Sequence, residues 1–109
     1  MTRPDHRDLA EALLRRTLEE PAVTDPALRR AVAASAAGGP PAQPPYETIA
    51  RQIGQAACLT TDEQIAGLVS AAGSEKAAFE LILAAAIGAG LLRWQCGLTA
   101  LDGANDASA

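Results

Sequence analysis

The pattern of apolar and polar positions predicts an all-α fold of about five helices. In the first helix, Pro4 to Glu20, leucines and alanines recur on one face and charged residues lie opposite. A second helix is expected from Pro26 to about Ala37, because Asp25 can cap it and proline suits the first helical position. Gly38 and Gly39 then end it.

A connector rich in proline and glycine, residues 38–45, separates these two helices from the rest of the chain. The third helix is predicted from Tyr46 to about Leu59. The fourth begins after Thr60 or Thr61, each of which has a Glu or Gln three residues on, and ends at Gly73. The fifth is expected to run from Ser74 to Leu101.

The stretch from Ala77 to Leu92 is the most apolar part of the chain, and Glu80 is its one residue that is neither apolar nor glycine. A spanning helix needs about 20 such residues, so we expect the buried helix of a soluble protein and no membrane contact.

These elements predict a domain organisation with four parts. They are an N-terminal helical arm (1–37), the connector (38–45), a compact helical core (46–101) and a disordered tail (102–109). The connector permits the arm to pack on its own core or on a neighbouring copy.

Few large side chains are available to cover the fifth helix, since the chain has only three aromatic residues and is rich in alanine. An uncovered apolar strip usually marks an interface. We therefore expect a homo-oligomer, in which small residues of the fifth helix let another copy approach closely: Ala84, Ala85, Gly88 and Ala89.

Charge and composition exclude several classes of function. The net charge is −4, and residues 31–109 carry three basic side chains against seven acidic ones, which argues against a nucleic-acid partner. One histidine and two distant cysteines predict neither a metal site nor a disulfide framework, and we expect no cofactor. The absence of an apolar leader favours a bacterial cytoplasmic location.

The run from Cys58 to Leu92 resembles the helical core of the alkylhydroperoxidase D-like and carboxymuconolactone decarboxylase superfamily. Its peroxidase branch opens a helix with C-x-x-C-x-x-x-H, followed by a glycine and an apolar, alanine-rich helix. Cys58 matches the first cysteine and Gly73 the glycine, whereas Thr61 and Ile65 replace the second cysteine and the histidine. The resemblance implies a helical fold without the family's peroxidase chemistry, which requires a resolving thiol and a base.

Three residues are candidates for catalysis: Cys58, Glu47 and Glu80. Each has a structural interpretation as well. Cys58 is typical of a small buried apolar residue, Glu47 of a first-turn residue at a helix N-terminus, and Glu80 of one half of an ion pair. Whether Cys58 pairs with Cys96 depends on geometry that the sequence does not contain.

Two functions remain open at this point. The first is a non-catalytic subunit of that superfamily, which assembles with itself or with a protein partner. The alternative is an enzyme of the carboxymuconolactone decarboxylase-like class with a non-peroxidatic site at a subunit interface. A DNA-binding helix-turn-helix would fit the Gly73-Ser74 turn but not the acidic charge.

Overall fold

The computed structural model describes residues 5–108, which form five α-helices and no strand, as the sequence predicts. The helices are α1 (His6–Leu18), α2 (Pro26–Ala36), α3 (Tyr46–Ala56), α4 (Asp62–Ala72) and α5 (Glu75–Ser108). A 3-10 turn, Ala57–Leu59, joins α3 to α4. The 34 residues of α5 span the 54 Å length of the molecule.

Local hydrogen bonds define the ends of these helices. The Asp25 carboxylate accepts a hydrogen bond from the Ala27 N–H at 2.9 Å and caps α2. Thr61, rather than Thr60, caps α4. The Thr61 hydroxyl accepts a hydrogen bond from the Gln64 N–H, and the Gln64 side-chain oxygen accepts one from the Thr61 N–H. Gly73 ends α4 with a φ of +99°, a conformation that glycine adopts without steric cost.

Several helix boundaries differ from the sequence prediction. α1 ends at Leu18 rather than Glu20, and its predicted start at Pro4 lies outside the described residues. α3 stops at Ala56, whose φ of −156° leaves the helical region, and the 3-10 turn takes up the next three residues. α5 continues to Ser108, so residues 102–108 are helical rather than a disordered tail, while Ala109 lies outside the described residues. No proline interrupts this segment, and extending an existing helix is far easier than starting one.

α2 packs against both α3 and α5, which also contact each other. Its Val32 and Ala36 are buried, and they share one core with Ile49 and Ile53 of α3 and Leu81 of α5. The predicted arm therefore packs on its own chain. The core is not confined to residues 46–101, because α2 contributes buried residues to it.

Two glycines allow this close packing. A Cβ atom on Gly54 of α3 would collide with the carbonyl oxygen of Ala36, and one on Gly88 of α5 would collide with that of Ala33. Both neighbours are backbone atoms of α2, which cannot move aside as a flexible side chain could. α2 is thus held between two helices that each approach its backbone.

The small residues of α5 serve this contact within the chain. Ala84 and Ala85 are fully buried, Ala89 is 4% exposed, and Gly88 faces Ala33. Three of these four residues, Ala84, Ala85 and Ala89, are thus covered within the chain, and Gly88 is partly buried. Their size serves the approach of α2.

We predict that Gly88→Ala destabilises the monomer by about 1 to 3 kcal/mol, because the added methyl group overpacks the contact with the α2 backbone. Gly67→Ala is the matched control: nothing lies within 4 Å of its Cβ position, and it should gain up to about 1 kcal/mol in helix propensity. Urea unfolding followed by circular dichroism measures both. Equal midpoints for the two variants would contradict the proposed close contact.

Candidate interaction surface

The candidate catalytic thiol lies at the surface of the protein. Cys58 lies in the 3-10 turn after α3, with an exposed side chain, and both it and Cys96 are free thiols. The interpretation of Cys58 as a small buried residue is therefore wrong. Exposure alone does not activate a thiol, because activation needs a nearby positive charge or base.

The two positions where the family motif is altered have structural roles. The Thr61 hydroxyl accepts the Gln64 N–H at 3.1 Å and so caps α4. Ile65 is partly buried and packs against the core. Neither side chain can resolve a sulfenic acid or take a proton from Cys58.

Glu47 forms a local ion pair. Its carboxylate oxygen accepts a hydrogen bond from Arg51 Nε at 3.1 Å, one helical turn further along α3, and both side chains are more than a third exposed. Pairs of this kind stabilise a helix by about 0.3 to 0.5 kcal/mol. Glu47 lies in the first turn of α3, whereas Cys58 lies in the 3-10 turn that follows the last residue of this helix.

Glu80 connects α5 by hydrogen bonds to the loop between α1 and α2. One carboxylate oxygen accepts hydrogen bonds from the Thr24 N–H at 2.8 Å and the Thr24 hydroxyl at 2.7 Å, and the other accepts one from the Val23 N–H at 3.0 Å. These bonds hold the carboxylate against the loop. Its hydrogen-bond partners are therefore N–H and hydroxyl donors of this loop, where the sequence led us to expect the basic half of an ion pair.

Arg29 holds the same loop from the other side. Its side chain is 2% exposed, and its guanidinium donates to the carbonyl oxygens of Thr17 at 2.7 Å and Glu20 at 2.5 Å, with a longer bond of 3.4 Å to Thr24. The first two carbonyls lie at the C-terminal end of α1, where a positive charge is favourable. Arg29 thus caps α1 and anchors the loop.

The pKa of Glu80 records these surroundings. Partial desolvation on its own would raise the pKa. The hydrogen bonds from Thr24 and Val23 and the charge of Arg29 outweigh that effect, so the pKa of Glu80 lies below its ordinary value of 4.5. The carboxylate is therefore held ionised for binding the loop, unlike a general acid, which must keep its proton near neutral pH.

Sequence reasoning missed Arg29, although the sequence contains a signal for it. Arg29, Val32, Ala33 and Ala36 are spaced three and four residues apart, which places the arginine on the buried face of α2. A charged residue within an apolar stripe is rarely buried unless it is hydrogen-bonded. The missing information was its partners, which are main-chain carbonyls that any sequence could provide.

The surface of α5 that faces away from α2 carries large apolar side chains. Phe79 is 63% exposed and Leu83 is 39% exposed, and exposed Ala86 and Gly90 continue the same face. Leu83 lines a groove of about 290 Å³ together with Leu13 of α1. Leu13 is 48% exposed, and Leu9, one turn earlier, is 53% exposed. We call Leu9, Leu13, Phe79 and Leu83 the α1–α5 patch.

The distribution of side-chain sizes on α5 is unusual. Five alanines between Ala77 and Ala89 are buried, whereas Phe79 and Leu83 are not; Leu81 is the one large side chain of this stretch that is fully buried. Helices normally place their largest apolar residues inside. Exposed large apolar residues that form a contiguous patch are typical of interaction sites.

Other features give no stronger candidate. Among residues 5–108, His, Cys, Asp and Glu side chains form no group of three that could hold a metal ion. α5, over Glu75–Ala104, is long and apolar enough to cross a membrane by length and composition, a test that core helices of soluble proteins also pass. A cavity of about 280 Å³ between α3 and α4 is lined by Ile49, Leu68 and uncharged neighbours.

Comparison of the chain with protein-family models, curated proteins and solved structures found no match.

We predict that Glu80→Gln lowers stability at neutral pH by about 1 to 2 kcal/mol, because charge-assisted hydrogen bonds to the loop become neutral ones. The pKa of Glu80 is lower in the folded state than its ordinary value of 4.5. The extra free energy of unfolding of the wild type over Glu80→Gln is therefore fully present above pH 4.5 and is lost as the pH falls through the folded-state pKa. Thermal unfolding between pH 3 and 7 measures it. Glu47→Gln is the control and should change stability by less than about 0.5 kcal/mol. A Glu80→Gln effect that is independent of pH would contradict the assignment.

Proposed function

We propose that this protein is a non-catalytic helical subunit that assembles with a second copy of itself through the α1–α5 patch. The observation that carries the proposal is the exposure of Phe79 and Leu83 on a helix that buries alanines instead. A patch made of side chains from two different helices also depends on the folded structure, because Leu13 and Leu83 meet only when α1 packs on α5.

The energy available from the patch supports a reversible complex. The exposed fractions of its four side chains together equal about two fully exposed ones. Full burial of such a side chain contributes about 1.5 to 3 kcal/mol, so a symmetric pair would gain about 6 to 12 kcal/mol. The entropic cost of association is about 4 to 15 kcal/mol. The two ranges overlap, so we expect a weak dimer whose formation depends on protein concentration.

The resemblance to the alkylhydroperoxidase D-like superfamily supports the absence of catalysis. At the second cysteine and the histidine of the motif, this chain has a helix cap and a core isoleucine. The three candidate residues are separated: Glu47 lies in the first turn of α3, Cys58 lies in the 3-10 turn that follows this helix, and Glu80 binds the α1–α2 loop. The same proposal places the protein in the cytoplasm and assigns the outer face of α5 to a protein neighbour rather than to lipid.

We predict that the double variant Phe79→Ser, Leu83→Ser shifts the protein towards monomer, because it removes both large apolar side chains that α5 contributes to the α1–α5 patch. Size exclusion coupled to light scattering, over a range of protein concentrations, measures the change. Leu59→Ser is the control, since Leu59 is 65% exposed but lies in the 3-10 turn, outside the patch. An 11.1 kDa monomer in the wild type at all concentrations would overturn the proposal.

We further predict that the chain does not reduce peroxides with a dithiol as the reductant. The expected turnover is at background and unchanged in Cys58→Ser, because neither Thr61 nor Ile65 can complete the thiol cycle. Turnover well above background that disappears in Cys58→Ser would show that Cys58 acts in catalysis and would contradict the non-catalytic assignment.

A further inference from the structure

We infer that the second copy packs with its α5 antiparallel to the first, around a two-fold axis near Ala86 and Ile87. The inference rests on the proposed self-association and adds the orientation of the partner. A two-fold axis gives a closed dimer in which both copies use the same surface.

The first argument concerns shape along α5. Six exposed residues recur at spacings of three and four along one stripe: Phe79, Leu83, Ala86, Gly90, Arg93 and Gly97. Phe79 and Leu83 thus occupy the N-terminal part of the stripe, Ala86 and Gly90 follow, and Arg93 is the one large side chain beyond them.

An antiparallel pair centred near Ala86 places Leu83 of one copy at the level of Gly90 of the other. The Cβ position of Gly90 has no neighbour within 4 Å, so it leaves room for a leucine from the second copy. A parallel pair in register would instead set Phe79 against Phe79 and leave a gap where Gly90 meets Gly90. Filled space favours the antiparallel arrangement, because unfilled gaps forfeit dispersion energy.

The second argument concerns charge. Lys76 and Arg93 are exposed at either end of this surface. A parallel pair would bring each of them close to its own counterpart, which is repulsive. In the antiparallel pair the two Lys76 residues are about 30 Å apart along the helix axes and the two Arg93 residues about 20 Å. The helix dipoles also oppose each other favourably.

The third argument concerns the sides of the stripe. Leu13 borders the stripe on the α1 side, next to Leu83. Arg93 lies on the other side, where its guanidinium donates a hydrogen bond to the Gly54 carbonyl oxygen of α3. A two-fold axis perpendicular to α5 brings the α1 side of one copy to the α1 side of the other, so that the exposed leucines of both copies meet. A parallel pair would set Leu13 against the polar α3 side.

Disulfide cross-linking tests this orientation. In a Cys58→Ser, Cys96→Ser background, Ala86→Cys places thiols near the axis, where two Cα atoms can come within the roughly 4.4 to 6.8 Å that a disulfide spans. Gly97→Cys is the matched control on the same exposed stripe, where the side chain meets no neighbour. In the antiparallel dimer its two copies are about 30 Å apart.

We expect mild oxidation to double the mass of most of the Ala86→Cys protein on non-reducing electrophoresis and to leave Gly97→Cys monomeric. If light scattering shows a dimer and Gly97→Cys cross-links as readily as Ala86→Cys, the orientation is wrong and self-association stands. A dimer in which neither variant cross-links overturns the proposal that the two copies pack through α5. A monomer by light scattering overturns the self-association itself.

Discussion

The close approach of α2 to its two neighbours is the contact on which the rest of the fold depends. The carbonyl oxygens of Ala33 and Ala36 lie where a Cβ atom of Gly88 or Gly54 would otherwise be, so α3 and α5 approach the backbone of α2 itself. A core made mainly of alanine and a few Ile, Val and Leu side chains buries little area per residue. Such a core gains its stability from short distances, since dispersion energy falls steeply when gaps open.

This contact also sets the rotation of α5 about its axis. With 3.6 residues per turn, Leu83 projects about 140° away from Gly88. Once Gly88 faces α2, Leu83 and Phe79, one turn earlier, must face away from it. Glu80 then lies at the edge, where the loop between α1 and α2 reaches it with two N–H groups and a hydroxyl. The exposed patch and the anchored loop are thus two results of one packing constraint.

The sequence predicted the positions of the helices better than it predicted which of their residues pack together. The helix starts at Pro26 and Asp62 and the glycine ends at Gly38 and Gly73 follow from local chemistry that acts within a few residues. The sequence could not predict which side of α5 packs against the core. Nearly every residue from Ala77 to Leu92 is apolar, so no side of this helix is marked by polar residues. The small residues were correctly expected to admit a close neighbour. Only the structure shows that this neighbour is α2 of the same chain.

Thr61 and Ile65, which stand where the motif that the sequence resembles has a cysteine and a histidine, both contribute to the stability of α4. A cysteine at position 61 would remove the hydroxyl that accepts the Gln64 N–H, and loss of such a cap typically costs about 1 kcal/mol. A histidine at position 65 would place a polar ring where isoleucine packs against the core, and a buried polar group without a hydrogen-bond partner costs about 1 to 3 kcal/mol. Both positions of the motif therefore contribute to stability here. This is the physical reason to look for the protein's role in its exposed apolar surface rather than around Cys58.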